Sequence, residues 1–334
     1  MYRRDAAPEK KSGDILIYFT GAIGDFLLFQ PLLRNWKKAF SESTIFIAAK
    51  PHVSALIDIS YCVFLPSDDK RLRPVFAPQS SSVNEAETDT EFSALLDWCN
   101  AFHTVLFVSV DTTGSVRAFL NRLTCNAFLH PPFPAAGSDV SAHHQALVRH
   151  MGIPCDDFSP DLRAVCTDLS ENIRITQDPY CIIHPGSGSL KKNWPIGHFI
   201  EISKKISSQI NVLILLGPAE IERGFMQRLK PVVSKHVLVI CNTGLHEVIH
   251  LCRHAAFYFG NDSGITHLAA ACGTHVIAVI PEQNRGFWQY PAYNVTRLFA
   301  GDVLSEPSVS EVEREIPLKI FACVRSGKNK LSLT

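Results

Sequence analysis

An α/β protein built on two doubly wound parallel sheets is what this chain predicts, and three observations carry the prediction. Apolar runs without polar alternation, among them Asp14–Phe19, Tyr180–His184 and Asn211–Leu216, read as strands buried on both faces. Segments of helical period separate these runs, so each strand is followed by a crossover helix and its neighbours lie parallel. The length of 334 residues exceeds one typical core, and a Pro-marked break over Gly152–Asp178 divides the alternation in two. We therefore place a first Rossmann-like domain at 13–155, a second at 175–305, and a closing segment at 306–334 that packs back on the first half.

Composition narrows the class before any motif is read. Hydrophobic residues make up 46% and charged ones 19%, an ordinary globular balance. Lys plus Arg and Asp plus Glu stand at 32 each, which argues against a nucleic-acid surface. No apolar run reaches membrane-spanning length, and the polar start MYRRDAAPEKKSGD lacks the apolar core of a signal peptide; the expectation is a cytoplasmic protein. Ten cysteines include no CxxC pair, and Cys181, Cys241, Cys252 and Cys272 lie in apolar runs as small core residues.

In chain order, residues 1–12 form a polar tail and Asp14–Phe19 the first strand. One amphipathic helix is expected over Phe26–Phe40, with Pro31 as an awkward interior residue. Thr44–Ala49 and Tyr61–Leu65 are strands, with a short helix over Lys50–Ile59 between them. The polar stretch Ser67–Thr90 reads as a long mobile loop. Helices are expected at Glu91–Phe102, Gly114–Leu123 and Ala142–Met151, the last carrying His143, His144 and His150, with a strand at Thr104–Val110.

The second half alternates more cleanly. Strands Tyr180–His184, Asn211–Leu216 and Val237–Cys241 precede helices Ile196–Ser208, Pro218–Leu229 and Leu245–His254. Phe257–Phe259 is then a strand, Gly260-Asn261-Asp262-Ser263-Gly264 a tight polar turn, Ile265–Cys272 a small-residue helix and Val276–Ile280 a strand. Strand, glycine-bearing turn and helix is the geometry that aims free N–H groups at an anion, and Asp262 and Ser263 also suit a helix cap.

Three further segments carry chemistry. Thr20-Gly21-Ala22-Ile23-Gly24-Asp25 lacks both the three glycines of a dinucleotide fingerprint and the GK[ST] of a phosphate loop. Gly21 and Gly24 allow a substrate to approach the backbone, and Asp25 at the helix start reads equally as a general base or as a cap. His184–Pro195 sets Gly186, Ser187, Gly188 and Ser189 before Lys191 and Lys192, a loop able to cradle phosphate with a point charge beside it. Lys191 fits a solvated position, whereas Lys192 stands near Trp194, which anchors the loop. Glu220, in Gly217-Pro218-Ala219-Glu220, suits either ribose hydroxyls or the helix dipole.

One pattern is a decoy. His246-Glu247-Val248-Ile249-His250 matches HExxH, and His254 lies one turn further on, but a helix between two parallel strands is not a zinc-protease setting. Nor is there a DxD metal motif, since Asp89-Thr90-Glu91 and Asp68-Asp69 stand in the polar stretch.

Taken together, the four segments resemble glycosyltransferase family 9, the bacterial heptosyltransferases of lipopolysaccharide core synthesis. The resemblance rests on Gly24-Asp25 with Pro31-Leu32-Leu33, His184-Pro185-Gly186 with Lys192-Asn193-Trp194-Pro195, Leu216-Gly217-Pro218-Ala219-Glu220, and Asn261-Asp262-Ser263-Gly264-Ile265-Thr266-His267-Leu268-Ala269-Ala270. It implies a GT-B fold with an acceptor domain and a nucleotide-sugar domain facing a central cleft. It also implies an inverting, metal-independent transfer without cofactor, commonly from ADP-L-glycero-β-D-manno-heptose. Its partners would be that donor and a lipid-linked saccharide at the inner membrane face, where a cytoplasmic enzyme would work peripherally. By position, Asp25 would be the base and Lys192 would neutralise the departing diphosphate. Ser263, Gly264, Thr266 and His267 would line the phosphate pocket beside Ser187 and Gly188. Asp262 would hold sugar hydroxyls and Glu220 the ribose. The sequence departs from the pattern in placing Ser187, Ser189 and Leu190 before the lysines, and in scattering Lys37, Lys38, Lys50, Arg117 and Arg122 through the first half. Rival expectations are another donor, a protein acceptor, a nucleotide-sugar epimerase on the same fold, or a nucleotide-binding module without activity.

Overall fold

A computed structural model describes residues 13–76, 85–134, 138–163, 165, 179–286, 294–301 and 307–316. The first sheet is formed by β1 (Ile15–Phe19), β2 (Ile45–Ala49), β3 (Cys62–Pro66), β4 (Thr104–Val108) and β5 (Asn126–His130), all parallel, in the order β3-β2-β1-β4-β5. The second is formed by β6 (Tyr180–His184), β7 (Asn211–Leu216), β8 (Val237–Cys241), β9 (Tyr258–Asn261), β10 (Val276–Pro281) and β11 (Val295–Ala300), again parallel, in the order β11-β10-β9-β6-β7-β8. Central strands β1, β4 and β6 are buried at every position, as apolar runs covered by helices on both faces must be. Described residues up to 134 together with Val140–Phe158 form one compact unit, and those from Ser159 onward form a second.

Each sheet reverses its winding once. In the first, β1 leads outward to β2 and β3, and β4 starts again on the other side of β1. In the second, β6 leads to β7 and β8, and β9 starts on the other side of β6. Ligands of open α/β sheets bind at the carboxyl ends of the strands flanking such a reversal. The helix that follows β1 carries Asp25 in its first turn; the connections after β6 and β9 carry Lys192 and Asp262.

Several boundaries differ from the sequence reading for identifiable reasons. The single helix expected over Phe26–Phe40 is two, Ile23–Phe29 and Pro31–Ala39, because Pro31 occupies the first position of a new helix, where its missing N–H costs nothing. Pro218–Leu229 likewise divides into Pro218–Glu222 and Phe225–Leu229 at Gly224, whose φ is +73°. The expected loop Ser67–Thr90 is overturned in part: Lys70–Leu72 and Arg73–Phe76 are helical turns and a long helix runs Glu85–Asn100, while 77–84 lie outside the described residues. Strands β5 and β11 had no counterpart in the sequence reading. Residues 309–316 are helical and belong to the second unit's core, where Val312 and Ile316 pack with Trp194 and Phe199, rather than to the first half. The rest of the closing segment, 317–334, and most of the expected linker lie outside the described residues.

Candidate functional site

In the first unit the Gly/Asp loop closes on itself. Asp25 is the third residue of helix Ile23–Phe29, and its Oδ2 accepts the Ala22 backbone N–H at 2.7 Å. Gly21 must be glycine for space, since a Cβ there would come within 2.7 Å of the Phe19 ring and 2.9 Å of the Asp25 Cβ. Phe26 and Phe29 bury the other face of the helix against Phe19, which fixes the turn that presents Asp25. Gly24 lies within the same helix, half-buried beside Asp25.

In the second unit three strand-end loops meet. Asn261, fully buried at the end of β9, donates from Nδ2 to the Pro185 carbonyl at 2.8 Å and accepts the Trp194 N–H at 2.9 Å. That one amide ties both ends of the Pro185–Pro195 loop to the neighbouring strand. Trp194 completes the anchor: it is 1% exposed, packs edge-on against Phe199 and Phe259, and donates from Nε1 to the Pro307 carbonyl at 2.8 Å. Trp194→Ala is expected to cost about 3–5 kcal/mol, read as a lower urea midpoint at unchanged slope.

Within the loop, the Ser187 hydroxyl lies 2.7 Å from the Ser189 carbonyl and 2.5 Å from Asn193 Oδ1, and the Ser187 carbonyl receives Arg223 Nη1 at 2.8 Å. A Cβ on Gly188 would meet nothing within 4 Å, so that side of the loop is open. Glu220 is 5% exposed; its Oε2 accepts the Gly217 N–H at 2.9 Å, and its Oε1 lies directly against Gly186. The carboxylate therefore caps its own helix with Oε2 and packs against the loop at Gly186 with Oε1. Lys191 is exposed.

Lys192 is where charge concentrates. Its Nζ stands 2.9 Å from Asp262 Oδ2, and the same oxygen accepts Asn284 Nδ2 at 2.6 Å. Burial pushes the Asp262 carboxyl up, but the charges of Lys192 and His267 and the bonds from Lys192 and Asn284 outweigh it and leave it below its usual range. His267 is held low, at about 4, by burial, with Asp262 opposing and Lys192 adding to the effect. At neutral pH it is therefore an uncharged hydrogen-bonding group.

The helix Gly264–Ala271 begins beside this pair. Ser263 is its N-cap: the hydroxyl accepts the Thr266 N–H at 3.3 Å, and the carbonyl accepts the N–H of His267 at 3.2 Å. Among the described residues the N–H groups of Gly264 and Ile265 take no partner, which leaves the first two donors of the helix for an anion. Thr266 is fully buried, with its hydroxyl bonded to the Asn261 carbonyl and in contact with Tyr258 and Ser263. Its expected place in a phosphate pocket is thus filled by an internal one.

Sequence reasoning missed Asn261 as an anchor, and Arg223 and Asn284 altogether. It gave no role to His130, whose Nε2 lies 3.0 Å from His144 Nδ1. With His143 these are the one group of three or more His, Cys, Asp or Glu that could hold a metal among the described residues, their ligand atoms lying within 4.8 Å. His130 and His143 stack face to face at 4.1 Å, and His143 Nε2 bonds the Pro131 carbonyl at 2.8 Å, so packing and hydrogen bonds engage much of the cluster, while His144 Nε2 is buried without a hydrogen-bond partner among the described residues. The HExxH decoy resolves similarly: Glu247 Oε2 accepts the Gly244 N–H at 3.1 Å, and His254 Nδ1 donates to the His250 carbonyl at 2.8 Å.

Two parallel Rossmann-like sheets with loops of this kind are the architecture of the α/β GT-B fold. The chain belongs to glycosyltransferase family 9 (heptosyltransferase), whose profile matches residues 131–318, more than half its length. Lipopolysaccharide heptosyltransferase 3 of Escherichia coli (strain K12) is 26% identical over 196 residues, covering 54% of this chain and 55% of that protein, so the chain spans about half the length of this relative. Solved structures share the fold: E. coli ADP-heptose lps heptosyltransferase II has a TM-score of 0.69 at 14% identity, covering 92% of this chain and 99% of that one. E. coli heptosyltransferase WaaC with ADP has a TM-score of 0.67 at 19% identity, over the same shares of the two chains (92% and 99%). No helix among the described residues is long and apolar enough to cross a membrane.

Proposed function

We propose that this glycosyltransferase moves a heptose from ADP-L-glycero-β-D-manno-heptose to a lipopolysaccharide core saccharide, with inversion and without a metal ion. The observation that carries the reading is the Lys192–Asp262 pair, 2.9 Å apart, beside the open N–H groups of Gly264 and Ile265 at the reversal of the second sheet. A departing diphosphate needs positive charge and oriented donors, and these groups supply both. Lys192 swings from Asp262 to the diphosphate, the first turn of the helix binds its oxygens, and His267 donates as a neutral imidazole. Asp262 accepts hydroxyls of the sugar. Asp25, its carboxylate at the positive end of its helix, takes the proton of the attacking acceptor hydroxyl. Ser187 and Gly188 border the phosphate, and Glu220 reaches the ribose.

Support for the donor comes from relatives: one solved structure sharing the fold is described as bound to ADP, and the curated relative is a lipopolysaccharide heptosyltransferase. The test is calorimetric titration with ADP, UDP and GDP, with and without EDTA. Selective ADP binding that EDTA does not change is the expected result. Preference for UDP or GDP overturns the donor, and loss of binding in EDTA overturns metal independence.

A further inference from the structure

We infer that Asn284 is a positioning residue for the donor sugar, holding the Asp262 carboxylate in place when Lys192 is handed to the diphosphate. This rests on the donor reading above and adds to it a residue outside the segments that carry the family resemblance. Asn284 ends the turn Glu282–Asn284 that follows β10, at the carboxyl edge of the second sheet. Its Nδ2 donates to Asp262 Oδ2 at 2.6 Å, the oxygen that Lys192 Nζ also approaches at 2.9 Å.

The turn is built to keep it there. Arg285 pairs bidentately with Glu282 at 2.5 and 2.7 Å, and its guanidinium lies 3.6 Å over the Phe299 ring on β11. Lys192 and Asn284, both bonded to Asp262 Oδ2, differ in what a diphosphate does to them. Lys192 carries a charge on a flexible stem and is 38% exposed, so an anion draws it away. Asn284 is neutral, so an anion exerts no charge attraction that would draw it from Asp262. Asp262 is 6% exposed, and a carboxylate so buried that lost its ammonium would rise in pKa and be held less firmly. The amide preserves a hydrogen bond to the charged form and with it the orientation that sugar hydroxyls require. Other titratable groups acting on Asp262 are Lys192 and His267.

Calorimetry with ADP and with ADP-heptose, on the parent, Asn284→Ala and Asn284→Asp, tests this without an acceptor. Asn284→Ala is expected to leave the ADP Kd within about twofold while weakening ADP-heptose about tenfold, the usual effect of one hydrogen bond to a charged group. Asn284→Asp sets two carboxylates on one another. It should weaken ADP-heptose most at pH 8 and recover towards pH 5, where the pair shares a proton and the protonated member restores the donor. That acid recovery is one a general loosening of the turn would not give. Equal losses for both ligands, no loss for either, or a pH-independent Asn284→Asp overturns the inference. A parent protein that binds neither ligand overturns the donor reading itself, and the inference with it.

Discussion

Asp25→Asn is expected to lower sugar transfer by about 10²–10⁴-fold, the range for removing a general base, while leaving thermal stability close to that of the parent. The choice of asparagine follows from what Asp25 does in the fold. Its Oδ2 accepts the Ala22 N–H at 2.7 Å, and its Cβ packs where only a glycine fits at position 21. An asparagine oxygen accepts that same bond and fills that same space, so the cap survives and only the charge, with its basicity, is lost. Alanine keeps the Cβ but removes the acceptor of the Ala22 N–H, while the lost charge at the helix start costs about 0.3–1 kcal/mol in either variant. Release of ADP from ADP-heptose in the presence of a truncated lipopolysaccharide acceptor reads the first effect, and a melting curve reads the second. An Asp25→Asn protein that transfers at the parental rate would leave Asp25 a cap and nothing more.

How far the sequence reveals this molecule follows from where each signal resides. Strands β6 and β7 match their apolar runs residue for residue, because central parallel strands must be apolar on both faces. The edge strand β8 and the helix Leu245–His254 match as well, through the run Val-Leu-Val-Ile-Cys and a clear helical period. The edge strands β5 and β11 escape for the converse reason. In Asn126–His130 and Val295–Ala300 most positions are only half-buried, so Asn, His, Thr and Arg are tolerated and no apolar run marks them. The start of the helix Glu85–Asn100 escapes because its first turns read Glu-Ala-Glu-Thr-Asp-Thr, with no apolar stripe to show a helical period. At the site, Asp25, Lys192 and Asp262 stand in strand-end connections that sequence motifs flag. Asn261, Arg223 and Asn284 act on residues 76, 36 and 22 positions away, distances over which no local pattern exists.

Lys192→Ala is expected to lower the transfer rate by about 10²–10³-fold, the usual loss when one group stabilising developing charge is removed. On the proposed mechanism the ammonium has two partners at two stages, and the substitution weighs on them unequally. In the free protein it lies 2.9 Å from Asp262; 38% exposed, the lysine contributes little to stability there once solvent screening is allowed for. In the proposed transition state the leaving diphosphate gains negative charge, and a point charge set among backbone donors would meet it there. The rate should therefore fall far more than the melting temperature. ADP, which carries the diphosphate, should weaken, whereas adenosine, which does not, should bind as before. Lys192→Arg keeps the charge but spreads it over a planar fork on a different stem, so partial recovery is expected rather than full activity. Steady-state rates with the two binding constants measure all of this. A Lys192→Ala protein of unchanged rate would show that Lys192 serves Asp262 alone, and the charge for the leaving group would then have to come from Arg223, whose Nη1 already reaches the Ser187 carbonyl of the same loop at 2.8 Å.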